Sequence, residues 1–153
     1  MKIALASDHA GFLLKEHIKK YLEEKGIKYR DFGTDDETPV DYPDLALKAA
    51  SAVQKGEFKK GIIICGTGIG VAITANKLKG IRAALCCDTF SARCARAHND
   101  ANILTLGARI IDRELALEIV DIFLNTAFEG GRHHRRIEKI SNLEGKNNFG
   151  PID

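Results

Sequence analysis

The stretch Gly61-Ile62-Ile63-Ile64-Cys65-Gly66-Thr67-Gly68-Ile69-Gly70 decides the fold. Its first half is a short apolar run without alternation, the pattern of a strand buried on both faces of a sheet. Its second half is a glycine turn leading into a helical pattern over about residues 68–78, since glycine admits tight turns and close backbone approach. A buried strand feeding a helix through a short turn is half of a βαβ unit, and the rest of the chain repeats that alternation.

Working outward, residues 2–6 read as a strand and 11–25 as a helix, with Phe12, Leu14, Ile18, Tyr21 and Leu22 on one face and Gly26 as its stop. Residues 27–32 form a second strand. The segment GTDDETPVDYPD at 33–44 has the Asp, Thr and Pro content of an exposed connection with solvated acids, and hands over to a helix at about 45–55. Residues 82–87 and 103–106 read as two more strands, and 90–98 and 113–125 as helices. Asp112 is placed to cap the last of these, with Leu115, Ile119, Ile122 and Phe123 as its core stripe. After Gly130 and Gly131 a final helix begins, on which Arg132 and Arg136, four residues apart, face one target. No repeat or linker interrupts the chain, so residues 1–153 are expected to form a single α/β domain. Its architecture is a three-layer α/β/α fold around a five-stranded parallel sheet, with a loose polar tail from about residue 145.

Composition bounds the function. With 44% hydrophobic and 29% charged residues, the chain is neither disordered nor a membrane bundle. Twenty-three basic against 21 acidic residues leave a net charge of +2, so no global field points to nucleic acid or anionic lipid, and any anion site is local. In the opening MKIALASDHAGFLLKE the apolar stretch is short and broken by Ser7, Asp8 and His9. It reads as neither a signal peptide nor a membrane span, and a cytoplasmic protein is expected. Cys65, Cys86, Cys87 and Cys94 lack the paired spacing of a zinc site or a secreted scaffold, so all four are expected to be reduced. Cys86, Cys87 and Cys94 read as buried packing residues.

Ligands of open parallel sheets collect beyond the carboxyl ends of the strands. Asp8 and His9 follow the first strand there, and Cys65 with its glycine turn follows the third. His98, Asn99 and Asp100 come just before the fifth strand and join a shared cleft only if the chain returns favourably. The turn is no standard nucleotide loop: Gly-Lys-Ser/Thr is missing, and a dinucleotide fingerprint starting at Gly66 needs Gly or Ala where Val71 stands. It is either a plain strand-to-helix turn or an anion cradle built from the free N–H groups of a helix start. Cys65 is likewise either a packed thiol or a base or nucleophile, since helix starts bring thiol pKa values to roughly 3.5–7.5 from about 8.5. His9 and His98 are structural imidazoles or proton carriers near neutrality. The run Arg132-His133-His134-Arg135-Arg136 is a solvated face or a phosphate clamp, with Arg109 a further cation at the carboxyl edge. A non-catalytic nucleotide or anion module and an RNA binder are competing classes. Balanced charge and the lack of an aromatic stacking motif count against RNA.

Taken together, SDHAG at 7–11, DYP at 41–43, CGTGIG at 65–70, ANK at 75–77, GIRAA at 80–84, AHNDAN at 97–102 and EGGRHHRR at 129–136 resemble ribose-5-phosphate isomerase type B, from the N-terminus to about residue 143. The galactose-6-phosphate and allose-6-phosphate isomerases are similar enough to keep six-carbon sugars open. The resemblance implies a Rossmann-like fold and an aldose–ketose isomerisation through a cis-enediolate, with neither metal nor cofactor. It implies that Cys65 is the base moving a proton between carbons 2 and 1, that His98 assists opening of the furanose ring, and that Asp8 holds the ring oxygens. Thr67 and the backbone N–H groups of Gly66, Gly68, Ile69 and Gly70 are implied to stabilise the enediolate oxygen, and Asn99 to contact the sugar. The phosphate falls to His9, Arg109, Arg132 and Arg136, so the anion at the glycine turn becomes the reacting oxygen. The partner implied is a phosphorylated sugar, with no nucleic acid and no membrane. A homodimer with the site shared between subunits is the smallest working unit, and pairing of dimers into tetramers stays open.

Overall fold

Alternate residues of the central strands point into two different cores. The computed structural model describes residues 1–144. The chain runs β1 (Lys2–Ser7), α1 (Phe12–Glu24), β2 (Lys28–Asp31), α2 (Tyr42–Gln54), β3 (Lys60–Cys65), α3 (Ile69–Ala75), β4 (Ala83–Leu85), α4 (Thr89–Ala97), β5 (Ile103–Gly107), α5 (Arg113–Asn125) and α6 (Arg132–Ser141). On one face of the sheet Ile3, Leu5, Ile62, Ile64, Leu104 and Leu106 pack against α1, α4 and α5. On the other, Ala4, Ala6, Ile63, Cys65 and Ile103 meet α2 and α3. The small Ala4 and Ala6 share that second core with Ala46, Ala49 and Ala50, which lets α2 approach closely. This is the expected three-layer α/β/α arrangement.

All five strands are parallel, in the order β2-β1-β3-β5-β4. After β1 the chain moves to one side to lay down β2, then crosses to the other side for β3. The strand order therefore reverses between β1 and β3, and at such a point the connections beyond the carboxyl ends part to leave a crevice.

Element boundaries differ from the sequence reading where local side chains decide them. Helix α2 starts at Tyr42 rather than near 45, with Asp41 before it and Pro43 in its first turn, where an N–H has no intrahelical partner to lose. Helix α3 stops at Ala75. Asn76 then holds the first residue of β4, its side chain donating to the Ala83 carbonyl (2.9 Å) and accepting from the Ala83 N–H (2.8 Å). Strand β4 lies at the sheet edge and covers only Ala83–Leu85 of the expected 82–87. Beyond it the chain leaves the sheet. Cys87 is consequently exposed and Cys94 half-buried, against the expectation of packing residues, while Cys86 is buried. Burial pushes the Cys86 thiol up to about 12. All four thiols are free.

On α1 the interior face holds Leu14, Ile18 and Leu22 together with Lys15, whereas Phe12 and Tyr21 are only half-buried. Asp112 accepts the Leu115 N–H (2.8 Å) as the cap of α5, whose Ile119 and Phe123 are fully buried while Leu115 and Ile122 pack at the margin. The expected loose tail lies outside the described residues. Among the described residues no helix is long and apolar enough to cross a membrane.

Candidate active site

The crevice between the carboxyl ends of β1 and β3 is a cleft of about 460 Å³. Asp8, His9 and Ala10 line it from the end of β1, Tyr42 from the start of α2, and Arg109 from just after β5. Cys65, Gly66, Thr67, Ile69, Gly70 and Ile73 form the remaining wall, from the end of β3 into α3. Two of the sequence-predicted clusters thus meet, with Arg109 drawn in because Ala108 and Arg109 donate their N–H groups to the carbonyls of Cys65 (2.9 Å) and Gly66 (3.0 Å).

Each side chain is held by its own loop. Asp8 is buried, and one of its carboxylate oxygens accepts the Gly11 N–H at 3.0 Å. His9 Nδ1 accepts the Val40 N–H at 3.2 Å, so the neutral ring carries its proton on Nε2. The connection holding Val40 is anchored in turn by Lys15, whose buried Nζ donates to Asp31 Oδ2 (2.5 Å) and the Thr34 carbonyl (2.6 Å). Cys65 is buried, and its Sγ accepts the Gly68 N–H at 3.1 Å. Gly68, expected among the donors to the reacting oxygen, thus directs its N–H at the sulfur instead. It takes φ +78, and a Cβ there would stand 2.5 Å from Leu85 Cδ1, so the turn requires glycine. Thr67 is exposed and its Oγ1 accepts the Ile69 N–H at 3.3 Å. The Tyr42 ring lies flush against Gly70, where a Cβ would meet Cζ at 2.5 Å.

Tyr42, Ala10 and Ile73 are cleft residues that the sequence reading does not name, and Tyr42 is the one with a polar side chain. The DYP motif signalled it, but a tyrosine inside a polar connection reads as a loop residue. The backbone of Val40 carries no sequence signal at all.

The third cluster does not join this cleft within one chain. Helix α4 leaves the carboxyl edge and runs back against the strands, so His98 at its C-terminal end lies toward the amino edge. There Asn102 accepts the Gly61 N–H at the start of β3 and donates to the Arg82 carbonyl. Cys65 stands four residues further along β3, about 13 Å away at 3.3 Å per residue. Asp100, at φ 44, is tied to Arg82 (3.0 Å) and Arg96 (2.8 Å). Asp100 and Asn102 of the AHNDAN motif thus knit the edge of the sheet, while His98 is half-buried and Asn99 exposed. The His98 ring stacks on that of His133 from α6, centroids 4.3 Å apart and planes within 6°. Arg132 and Arg136 are exposed on the same helix. The predicted residues therefore form two groups at opposite edges of the sheet, each with part of the expected phosphate grip.

A larger cavity of about 700 Å³ opens beside β4 under α6, lined mainly by apolar groups such as Ile81, Leu85, Ile140 and Leu143. Cys86, Cys94 and Glu144 also line it, but no imidazole and no glycine turn does, and the smaller cleft, which has both beside its thiol and carboxylate, is the better candidate for chemistry.

The Ribose/Galactose Isomerase family model matches residues 3–140. The ribose-5-phosphate isomerase B of Escherichia coli is 47% identical over 147 residues, which cover 96% of this chain and 99% of that protein. Among solved structures, the ribose-5-phosphate isomerase B of Clostridium thermocellum matches with a TM-score of 0.95 at 51% identity, covering 97% of this chain and 100% of that one. The Mycoplasma genitalium ribose-5-phosphate isomerase B with bound ribulose-5-phosphate matches with a TM-score of 0.91 at 44% identity, covering 95% and 97%. The family match spans nearly all the described residues, fold and cleft included, and the chain belongs to the Ribose/Galactose Isomerase family.

Proposed function

We propose that this protein interconverts ribose 5-phosphate and ribulose 5-phosphate with Cys65 as the base, using neither metal nor cofactor, in a homodimer whose sites are shared between subunits. The observation that carries this reading is the placement of the Cys65 sulfur, held by the Gly68 N–H at 3.1 Å, in the wall of the cleft that also holds Asp8, His9, Thr67 and Arg109. Relatives named for this reaction, one of them holding ribulose-5-phosphate, support the choice of a pentose phosphate.

In the reaction proposed, the Cys65 thiolate removes the proton from carbon 2 of the open-chain aldose. The C–H electron pair forms the C1=C2 double bond while the C1 carbonyl pair moves onto oxygen 1, giving a cis-enediolate. The oxygen-2 proton passes to oxygen 1, carbon 2 becomes the carbonyl, and the thiol returns its proton to carbon 1. The negative oxygen is met by Thr67 and by the N–H groups of the turn, with Gly68 supporting the sulfur. One preorganised donor of this kind is worth about 2.7–4 kcal/mol of barrier. A reduced thiol suits a reducing compartment, which supports a cytoplasmic location.

The two groups at opposite edges support the proposal that sites are shared between subunits. His9 and Arg109 grip the phosphate from one chain, and Arg132 and Arg136 from its partner, which also brings His98 and Asn99 to the sugar. Exposed Ile69, Ile73, Phe90 and Ile110 surround the carboxyl edge, an apolar surface that a second copy would cover. The test is turnover of ribose 5-phosphate by metal-stripped protein, beside allose 6-phosphate and galactose 6-phosphate. The pentose is expected to be converted, and Cys65→Ala to lose turnover while still binding inorganic phosphate. Conversion of a hexose phosphate alone overturns the substrate, and substantial turnover by Cys65→Ala overturns the base.

A further inference from the structure

His133 is buried on α6 in a position no sequence argument assigns beyond membership of a basic run. Its ring lies parallel to that of His98, 4.3 Å between centroids and 6° between planes. Glu129 presents one carboxylate oxygen to both Nε2 atoms, at 3.6 Å from His133 and 3.9 Å from His98. The Glu129 N–H is itself tied to the Ala97 carbonyl (3.0 Å), which fixes the loop before α6 to the end of α4 beside His98. The carboxylate and both imidazoles have ligating atoms within 4.8 Å of one another. Two parallel rings, however, keep their Nε2 lone pairs in separate planes 4.3 Å apart at the centroids rather than aimed at one point, so this arrangement does not suit chelation.

We propose that His133 is the positioning residue for His98, a flat buried face that fixes the His98 ring for opening the sugar; the inference rests on the isomerase reading above. In that step the anomeric hydroxyl gives its proton to solvent and the bond from carbon 1 to the ring oxygen breaks as the C1 carbonyl forms. His98 supplies the proton that the ring oxygen takes up, and solvent restores it. His98 is half exposed at a helix end, and its side chain has many rotamers until something flat limits them. Burial, with the charges of His98, Arg132 and Arg136 adding to it and Glu129 opposing, lowers the His133 pKa. That direction favours the neutral form of His133, and its stacking face is what His98 uses.

Ring opening and enolisation can be read separately, because ribose 5-phosphate enters as a closed ring, whereas ribulose 5-phosphate is already open and exchanges its carbon-1 proton with solvent through the base without any ring step. His133→Ala is expected to lower kcat/KM for isomerisation of the aldose about tenfold, part of the roughly 10²–10⁴ that a positioned acid–base group supplies, and to leave solvent deuterium exchange into carbon 1 of ribulose 5-phosphate within about twofold of wild type. His133→Phe, which keeps a flat face without a ring nitrogen, is expected to restore most of the aldose rate. Deuterium exchange by the same samples reports that each variant is folded and assembled. Equal losses of isomerisation and of deuterium exchange, or none, overturn the role of His133 and leave the isomerase reading standing. A wild type inert on both sugars overturns that reading and the inference with it.

Discussion

Lys15 shows what a single side chain can do for a site it never touches. Its ammonium is fully buried, a placement a cation tolerates only with close partners, and it is held by Asp31 and the Thr34 carbonyl. Asp31 also accepts the Gly33 N–H at 2.9 Å, so this knot fixes the start of the connection whose far end holds His9 through Val40. Lys15→Met leaves the carboxylate and the carbonyl without their donor, and is expected to cost about 3 kcal/mol in urea unfolding. It should also raise the KM as His9 loosens; a loss below about 1 kcal/mol would show that the knot carries little. Lys15 was not legible in the sequence, because a lysine beside an apolar stripe ordinarily extends its stem and keeps its charge in water. Cys65 and its glycines were legible as a strand end and a turn, while the residues alone left the thiol open between packing and base, and only the family resemblance gave it a role.

At the scale of elements, α5 was read to the residue because both of its signals are local, the Asp112 cap and the 3.6-residue stripe. What satisfies its last carbonyls was not. The last carbonyls of a helix need donors, and here Lys60, the first residue of β3, reaches across to the carbonyls of Phe123 (3.1 Å) and Leu124 (2.8 Å). Burial, helped by the Arg96 charge, lowers the Lys60 pKa to about 8 from 10.5. Between those values the unfolded chain binds the proton more tightly than the folded one, so this group adds stability as pH rises from about 8 to 10.5. The unfolding free energy of wild type minus that of Lys60→Met is therefore expected to grow across the window. A flat difference would mean that the ammonium is not desolvated in the folded protein. Strand β4 and the start of α2 were misjudged for a similar reason. A side chain from a neighbouring segment, Asn76 at β4, and a proline in the first helical turn of α2 set their limits.

At the scale of the whole molecule, the switch in strand order between β1 and β3 brings Asp8, His9 and Cys65 together, and the return of α4 carries His98 away from them. Periodicity predicts each of these elements but not the strand order, so the sequence alone left open whether the third cluster shared the cleft. What the family resemblance added, a site completed by a second subunit, agrees with the separation of the two groups within one chain. In the isologous dimer proposed above, the carboxyl edge of each subunit would meet the amino edge of the other and close two equivalent sites.

Subunit complementation tests this account most directly. Cys65→Ala and Arg132→Ala are each expected to be nearly inactive with ribose 5-phosphate as homodimers. When the two are unfolded together and refolded as an equal mixture, half of the dimers are hybrids, and each hybrid holds one site with both residues intact. About one quarter of wild-type turnover should return. If the mixture stays as inactive as its parents while both variants dimerise, Cys65 and Arg132 do not act across a shared site, and the account of a divided active centre is wrong.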